Sequence, residues 1–343
     1  MTREINISEL ADMLDGRIEG RFDKKDNIKG TCAIYKYISG KVSFITNLKY
    51  GEMLAQLHDA VILVPESLSA FCEKYPHNTY IVVKDVISSM MNVQEFFYGE
   101  EPLIVDEGVS HTARIDSSAI IGKGSYIGEN VYIGRKVTIG ERSRILQNSC
   151  IFDDVFIGNG TYIYPHVCVY KDCQIGNDCL IHSGARIGAD GFRFEHDIAN
   201  KIVRKMYHCG EVMIGDRVEI GANCTIDRAT FEDDATILAD DVKLDDQVHI
   251  GHNAKILARS MIAAQTCISG SVKVGEDVWI GAGVTISNNV SVGDRAKVLL
   301  NAVVAFDVLE DEMVSGFYAM PHKQWKIAYQ YLRGGEWLKK LLP

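Results

Sequence analysis

The sequence predicts a mainly β protein organised around a parallel β-helix of hexapeptide repeats, preceded by an α/β domain and followed by a short helical tail. Three observations carry this reading. An aliphatic residue recurs at every sixth position from Ile115 through Ile121, Ile127, Ile133 and onward to Ile187 without an exception. The ladder resumes at Ile214, Ile220 and Ile226, misses at Glu232, and continues from Leu238 to Val304. Glycine often follows the ladder residue, as at Gly122, Gly128, Gly134, Gly140, Gly158, Gly176, Gly215 and Gly281. A period of six belongs neither to a helix nor to a simple strand, and it is the signature of a β-helix. Three hexapeptides close one triangular coil, so residues three hexapeptides apart stack on one another. Each ladder residue then points inward, and the Gly, Asn and Asp that follow are expected to serve permissive corner conformations.

Residues 1–104 lack the ladder and read as an α/β domain. Ile7 to Leu14 has helical apolar spacing with a capping serine, Ser8. Val42 to Thr46 alternates as a strand does, and Glu52 to His58 reads as helical. Ala60 to Val64 and Thr79 to Val83 are apolar runs of strand length, and Val86 to Tyr98 reads as a helix. A linker is placed near Gly99 to Gly108. The β-helix is assigned to residues 105–308, with a loop insertion at 189–212 that begins Ala189-Asp190-Gly191-Phe192-Arg193-Phe194. Long excursions from a solenoid wall tend to carry function, and this one is rich in aromatic and basic residues. Residues 309–343 form the helical extension: a helix starts at Pro321, Gly334-Gly335 breaks it, and Trp337 to Leu342 adds a further turn. The two flanking pieces are expected to cover the open ends of the solenoid.

Composition narrows the function. With 36 basic and 46 acidic residues the net charge is −10, which argues against a nucleic-acid partner. No apolar run is long enough to span a membrane, and the N-terminus lacks the basic-then-apolar plan of a signal peptide. Nine cysteines without paired spacing suit a reducing, cytoplasmic setting. Cys173, Cys179 and Cys224 fall at the small-residue position of the hexapeptide and read as wall residues.

Two of the ten histidines, His249 and His252, lie in Val248-His249-Ile250-Gly251-His252-Asn253. They are either a solvated pair or the place of a general base, since imidazole titrates near neutral pH. Gly270 follows His252 by three hexapeptides, hence stands beside it one coil on. Its N–H either offers an oxyanion donor or belongs to a plain corner glycine. Asp245, one row earlier, is placed to orient an imidazole. His166 and His182 stand rows away from this pair, so no metal site is expected.

These stretches carry a resemblance over nearly the whole chain. Ile187 to Phe192, Ile214-Gly215-Asp216-Arg217 through Thr225-Ile226-Asp227-Arg228, and Lys243 to Asn253 resemble the UDP-3-O-(3-hydroxyacyl)glucosamine N-acyltransferases, the LpxD family. Val42 to Tyr50 is similar to that family's uridine-binding segment, and Pro321 through Trp325 to its C-terminal helical start. The resemblance implies a homotrimer of left-handed β-helices with active sites in the clefts between subunits. It implies transfer of a 3-hydroxyacyl chain from the phosphopantetheine of acyl carrier protein to the 2-amino group of a UDP-linked, 3-O-acylated glucosamine, in lipid A biosynthesis, with no bound cofactor. Carried over by position, His252 is the base and Gly270 the oxyanion donor. Phe44, Asn47 and Tyr50 contact the nucleotide, and Asp245, His249 and Asn253 lie where the family contacts substrate. The family usually has Gln at 249 and a second histidine at the position of Asn289. Asparagine there donates a hydrogen bond but carries no proton. The basic tail residues Lys323, Lys326, Arg333, Lys339 and Lys340 read either as a surface for an acidic carrier protein or as a solvated helix face. The competing readings are an acetyl-CoA-dependent sugar acetyltransferase on the same prism and a non-catalytic UDP-sugar-binding solenoid.

Overall fold

A computed structural model describes residues 3–21, 27–99, 107–316 and 319–334. The turn expected over Trp337 to Leu342, with Lys339 and Lys340, lies outside the described residues, as do part of the linker and the side chain of Arg333. The chain divides into two compact units, Met1–Ile104 and Val105–Pro343.

The N-terminal unit is built on a four-stranded sheet. Arg17–Gly20 pairs antiparallel with Thr79–Val83, which runs parallel to Val61–Pro65, itself parallel to Val42–Phe44. The two central strands are apolar on both faces because both faces are covered. Leu63, Ile81 and Val83 face one buried cluster with Ile7, Leu10, Met90 and Val93. Ile62, Val64, Tyr80 and Val82 face another with Leu54 and Leu68. The helix Val86–Tyr98 starts where Asp85 accepts from the N–H groups of Ile87 and Ser88, and it buries Val86, Met90 and Val93. The first helix, Ile7–Met13, is capped by Asn6, whose side chain accepts from the Glu9 N–H. Ser8 lies inside the helix rather than at its cap. The helical segment expected from Glu52 forms earlier and tighter, as a 3-10 helix over Leu48–Ala55 begun by Asn47.

The second unit is the left-handed parallel β-helix. Its short strands form three parallel sheets of eleven, ten and nine strands among the described residues. Pairing joins residues three hexapeptides apart, as Ile127 with Ile145 and Ile250 with Ile268. The ladder side chains from Ile127 onward form one continuous buried column. Each aliphatic side chain removed from water contributes roughly 1.5–3 kcal/mol, and the repeat makes this contribution along the whole prism.

The corners bear out the expectation at asparagine and aspartate and depart from it at the glycine after the ladder residue. Apart from Gly188, with φ 87°, no glycine after a ladder residue is in the left-handed region. The requirement there is close approach: a Cβ at Gly158 would lie 2.6 Å from the carbonyl carbon of Gly176 on the next coil. The left-handed position falls two residues later, at Asn130, Lys136, Arg142, Asn148 and Asp154, with φ between 55° and 61°. Asparagine and aspartate tolerate that conformation through local hydrogen bonds. Cys173, Cys179 and Cys224 are buried in the wall, and burial pushes the Cys179 and Cys224 thiols up to about 11.

Two coils are longer than three hexapeptides. Ile175 pairs with Ile214 across the first, and Thr225 pairs with His249 across the second. The first excess is the insertion, which holds an antiparallel hairpin of Phe194–Asp197 with Ile202–Lys205. The second is an excursion over Arg228–Asp234, which explains the miss at Glu232. Both leave the prism at one edge, between the sheet that contains Arg186–Ala189 and Thr225–Asp227 and the sheet that contains Glu211–Ile214 and Ala235–Leu238. The C-terminal helix spans His322–Gly334. Among the described residues no helix is long and apolar enough to cross a membrane.

Candidate active site

His252 stands on the same edge of the prism, one coil beyond the second excursion, in the turn between the strands His249–Ile250 and Lys255–Ile256. The next two coils bring Gly270 and then Asn289 to that edge, where the Asn289 N–H donates to the Gly270 carbonyl at 3.1 Å. The half-buried imidazole of His252 is held from behind. Its Nδ1 lies 2.8 Å from Oδ1 of Asn253 and 3.4 Å from the Thr230 hydroxyl.

The direction of these bonds follows from chemistry. Nδ2 of Asn253 donates to Oδ2 of Asp234 at 2.7 Å, and a carboxylate only accepts. Oδ1 of Asn253 therefore faces the Thr230 N–H and His252. An amide oxygen only accepts, so Nδ1 of His252 carries the proton and Nε2 of the neutral ring holds its lone pair. Nε2 has no protein partner among the described residues. Asp234 and Thr230 both arrive on the short excursion, and Asn253 sits at a corner with φ 62°, which turns its amide inward.

Gly270 closes the front. A Cβ at this position would lie 2.6 Å from Nε2 of His252, so the imidazole occupies the space that a side chain would take. At equivalent points of other coils the N–H is capped by a side chain of the next coil, as Arg135 by Asp153 and Glu276 by Asp294. The Gly270 N–H has no acceptor among the described residues. A lone pair and an unclaimed N–H therefore border the same edge.

The other expected residues fall in several places. His249 lies on the wall, with Nδ1 2.8 Å from the Thr225 hydroxyl and Nε2 3.7 Å from Asp227. Burial lowers its pKa. Asp227 is buried, and burial, followed by the nearby Asp190 carboxylate, pushes it up to about 7. Asp245 does not orient an imidazole. It is exposed at the end of a strand of another sheet and accepts from the N–H groups of Asp246 and Ala264, because one hexapeptide before the base is a different face of the triangular coil. Asn289 is exposed at a corner with φ 60°. Phe44, Asn47 and Tyr50 lie in the N-terminal unit. There Phe44 and Tyr50 are half-buried against the two apolar clusters, and Asn47 accepts from the Lys49 N–H at 3.0 Å. Among the described residues no three of His, Cys, Asp and Glu converge to hold a metal ion.

Sequence reasoning missed the residues that the excursions deliver: Thr230, Asp234, Arg228 and His208. Arg228 is buried and donates to the carbonyls of Gly188 and Lys171, which ties the start of the short excursion to the two coils before it. His208, on the returning limb of the insertion, packs edge-on against His252 with ring centroids 5.2 Å apart. It also lines a cavity of about 760 Å³ with Tyr132, Phe152, Tyr170, Lys205, Tyr207 and Arg228. The only sequence signal for these was the richness of the insertion in aromatic and basic residues.

Comparison with known proteins follows this geometry. Residues 109–199 match the family described as the GMPPB C-terminal domain, and residues 211–244 and 268–305 match the hexapeptide repeat of succinyl-transferase. A UDP-3-O-acylglucosamine N-acyltransferase of Shewanella oneidensis is 41% identical over 66% of this chain and 63% of its own length. Those of Polynucleobacter asymbioticus and Coxiella burnetii are each 33% identical, over 66% and 68% of this chain. The chain spans about 65% of the length of the Polynucleobacter relative. Among solved structures, an Arabidopsis UDP-N-acetylglucosamine acyltransferase superposes with a TM-score of 0.50 at 24% identity, over 61% of this chain and 71% of that one, which speaks for the fold alone.

Proposed function

The chain belongs to the UDP-3-O-acylglucosamine N-acyltransferase family, and from that premise we propose that it moves a 3-hydroxyacyl group from a thioester donor to the 2-amino group of a UDP-linked, 3-O-acylated glucosamine. One observation carries the reading: the proton of His252 is fixed on Nδ1 by Asn253, and the free Nε2 borders Gly270, whose N–H is unclaimed.

In the reaction, Nε2 of His252 takes a proton from the attacking amine as its nitrogen adds to the thioester carbonyl. The Gly270 N–H donates to the oxyanion of the tetrahedral intermediate. Collapse breaks the carbon–sulfur bond, and the proton on Nε2 passes to the departing thiolate. The thioester is already activated, so base and oxyanion donor together supply the needed chemistry. The donor is an acyl chain on the phosphopantetheine of acyl carrier protein, and the product enters lipid A biosynthesis. The nucleotide end contacts Phe44, Asn47 and Tyr50, and Asp245, His249 and Asn289 are assigned to binding rather than to proton transfer. The working protein is a homotrimer in the cytoplasm with no resident cofactor. The names of the curated relatives support the acceptor, and the family resemblance together with the basic residues of the tail supports the carrier.

The test is acyl transfer by the purified protein, read by mass spectrometry, with UDP-3-O-(3-hydroxyacyl)glucosamine and 3-hydroxyacyl carrier proteins of several chain lengths. Product is expected with the wild-type protein, and His252→Ala is expected to lower kcat by about 10²–10⁴-fold with an unchanged melting temperature. A correctly folded His252→Ala protein of full activity would sink the assignment. Product from acetyl-CoA alone would replace the donor.

A further inference from the structure

His208 is a histidine that the reaction above does not use, and it is an anomaly. Its residue is 5% exposed, and both ring nitrogens are buried without a hydrogen-bond partner among the described residues. A neutral imidazole presents one N–H donor and one lone pair. Leaving a buried donor unmet costs about 1–3 kcal/mol, and a native structure keeps such a group only with a reason. Burial first, and then the adjacent His252, hold its pKa below the ordinary value, so the ring stays neutral at pH 7.

The surroundings point to a ligand. His208 forms part of the wall of the cavity of about 760 Å³. Its lining includes Phe152 and Tyr170, whose rings stack at 5.6 Å. It also includes Tyr207 and the ion pair of Lys205 with Asp190. Aromatic and polar lining together suit a ligand that has both apolar and oxygen-bearing parts. Gly191 leaves room for the two rings: a Cβ there would lie 3.0 Å from Nε2 of His208 and 3.0 Å from Cδ2 of His252. The imidazole absent at position 289 is thus supplied to the neighbourhood of the base from the insertion.

We propose that His208 is a second imidazole of the acyl-acceptor site, donating a ring N–H to an oxygen of the bound UDP-3-O-acylglucosamine. This rests on the acceptor class assigned above. The hydrogen bond supplies the acceptor that the free chain lacks. Both ring nitrogens are buried in the free chain, so ligand binding has to open the insertion around the ring.

The experiment compares the wild-type protein with His208→Ala, His208→Gln and His208→Leu. It uses calorimetric binding of UDP-3-O-acylglucosamine, the KM of acceptor and donor, and the melting temperature. His208→Ala and His208→Leu are expected to weaken acceptor binding and raise acceptor KM by about tenfold, with donor KM unchanged. His208→Gln, whose amide still donates, is expected to recover most of the loss. Wild-type binding and acceptor KM in a folded His208→Ala or His208→Leu protein would overturn the proposal, and so would a loss that His208→Gln does not repair. A wild-type protein that binds the acceptor in a His208-dependent way but never acylates it would refute the acyl-transfer reading and leave this one standing. A wild-type protein that does not bind the acceptor would overturn both.

Discussion

Nδ1 of His252 and Oδ1 of Asn253 lie 2.8 Å apart, and this contact between sequence neighbours sets the tautomer of the ring. It exists because Asn253 occupies a left-handed corner at φ 62° and is anchored beyond by Asp234. A position that reads as a plain corner residue is thereby also the support of the base.

Asn253→Gly separates these two roles. Glycine keeps the corner without strain and removes the amide. A hydrogen bond to a group that becomes charged is worth about 1.5–3 kcal/mol, so kcat is expected to fall about 10–100-fold with little change in melting temperature. Asn253→Ala is expected to lose the same activity and also stability, by about 1–2 kcal/mol from the left-handed backbone.

Gly270→Ala places a methyl group where Nε2 of His252 stands. The ring must rotate away, and overpacking of this kind costs about 1–3 kcal/mol. Turnover is expected to drop by about 10²–10³-fold, comparable to loss of an oxyanion donor. Steady-state kinetics beside a thermal melt would check both parts.

Asp227 predicts a pH dependence. In the folded chain its carboxyl keeps the proton up to about pH 7, against an ordinary value of 3.8. The folded state binds the extra proton between those values, so this group's contribution to stability falls as pH rises from about 4 to about 7. Asp227→Asn does not ionise and lacks that slope. Urea midpoints are expected to show the variant gaining on the wild type across this window, by a few kcal/mol at most at about 1.4 per pKa unit, and holding level above it. A constant difference would refute the burial argument.

Gly158→Ala tests the corners. The added Cβ meets the backbone of Gly176 at 2.6 Å, which has no soft way to yield. The variant is expected to be less stable than Asn148→Ala, at a corner with φ 61°, where the cost is about 1–2 kcal/mol. Thermal melts of the two proteins rank them.

The ladder was legible because every coil repeats one inward position, so a single period reports the whole core. The helix Val86–Tyr98 was legible because its apolar spacing is local. The division of roles at the corners was not, since Gly158 answers to the close approach of the next coil and Asn148 to a left-handed backbone, and only the neighbouring coil reveals the first. His252 and Gly270 stood out because three whole hexapeptides separate them. Thr230, Asp234 and His208 lie on excursions that obey no period, and their approach to His252 is set by how those loops fold back. Asp245 was misplaced because one hexapeptide is one face of the triangular coil, so a residue a row before the base stands on another sheet.

The two excursions leave the prism from one edge, and each strand beside them pairs only with the coils above and below. A loop there must return its chain to the next coil, and at Arg228 and Thr230 it also packs on the wall. The excess before His249 is one whole hexapeptide and preserves the phase of the ladder. The excess before Ile214 does not, yet the column of aliphatic residues continues past both. Insertions and deletions at this edge therefore leave the ladder in place while they rewrite the surroundings of the base. Lineages of this scaffold are free to change substrate by exchanging loops, and a laboratory selection restricted to residues 189–210 and 228–234 would sample that freedom without revisiting the core.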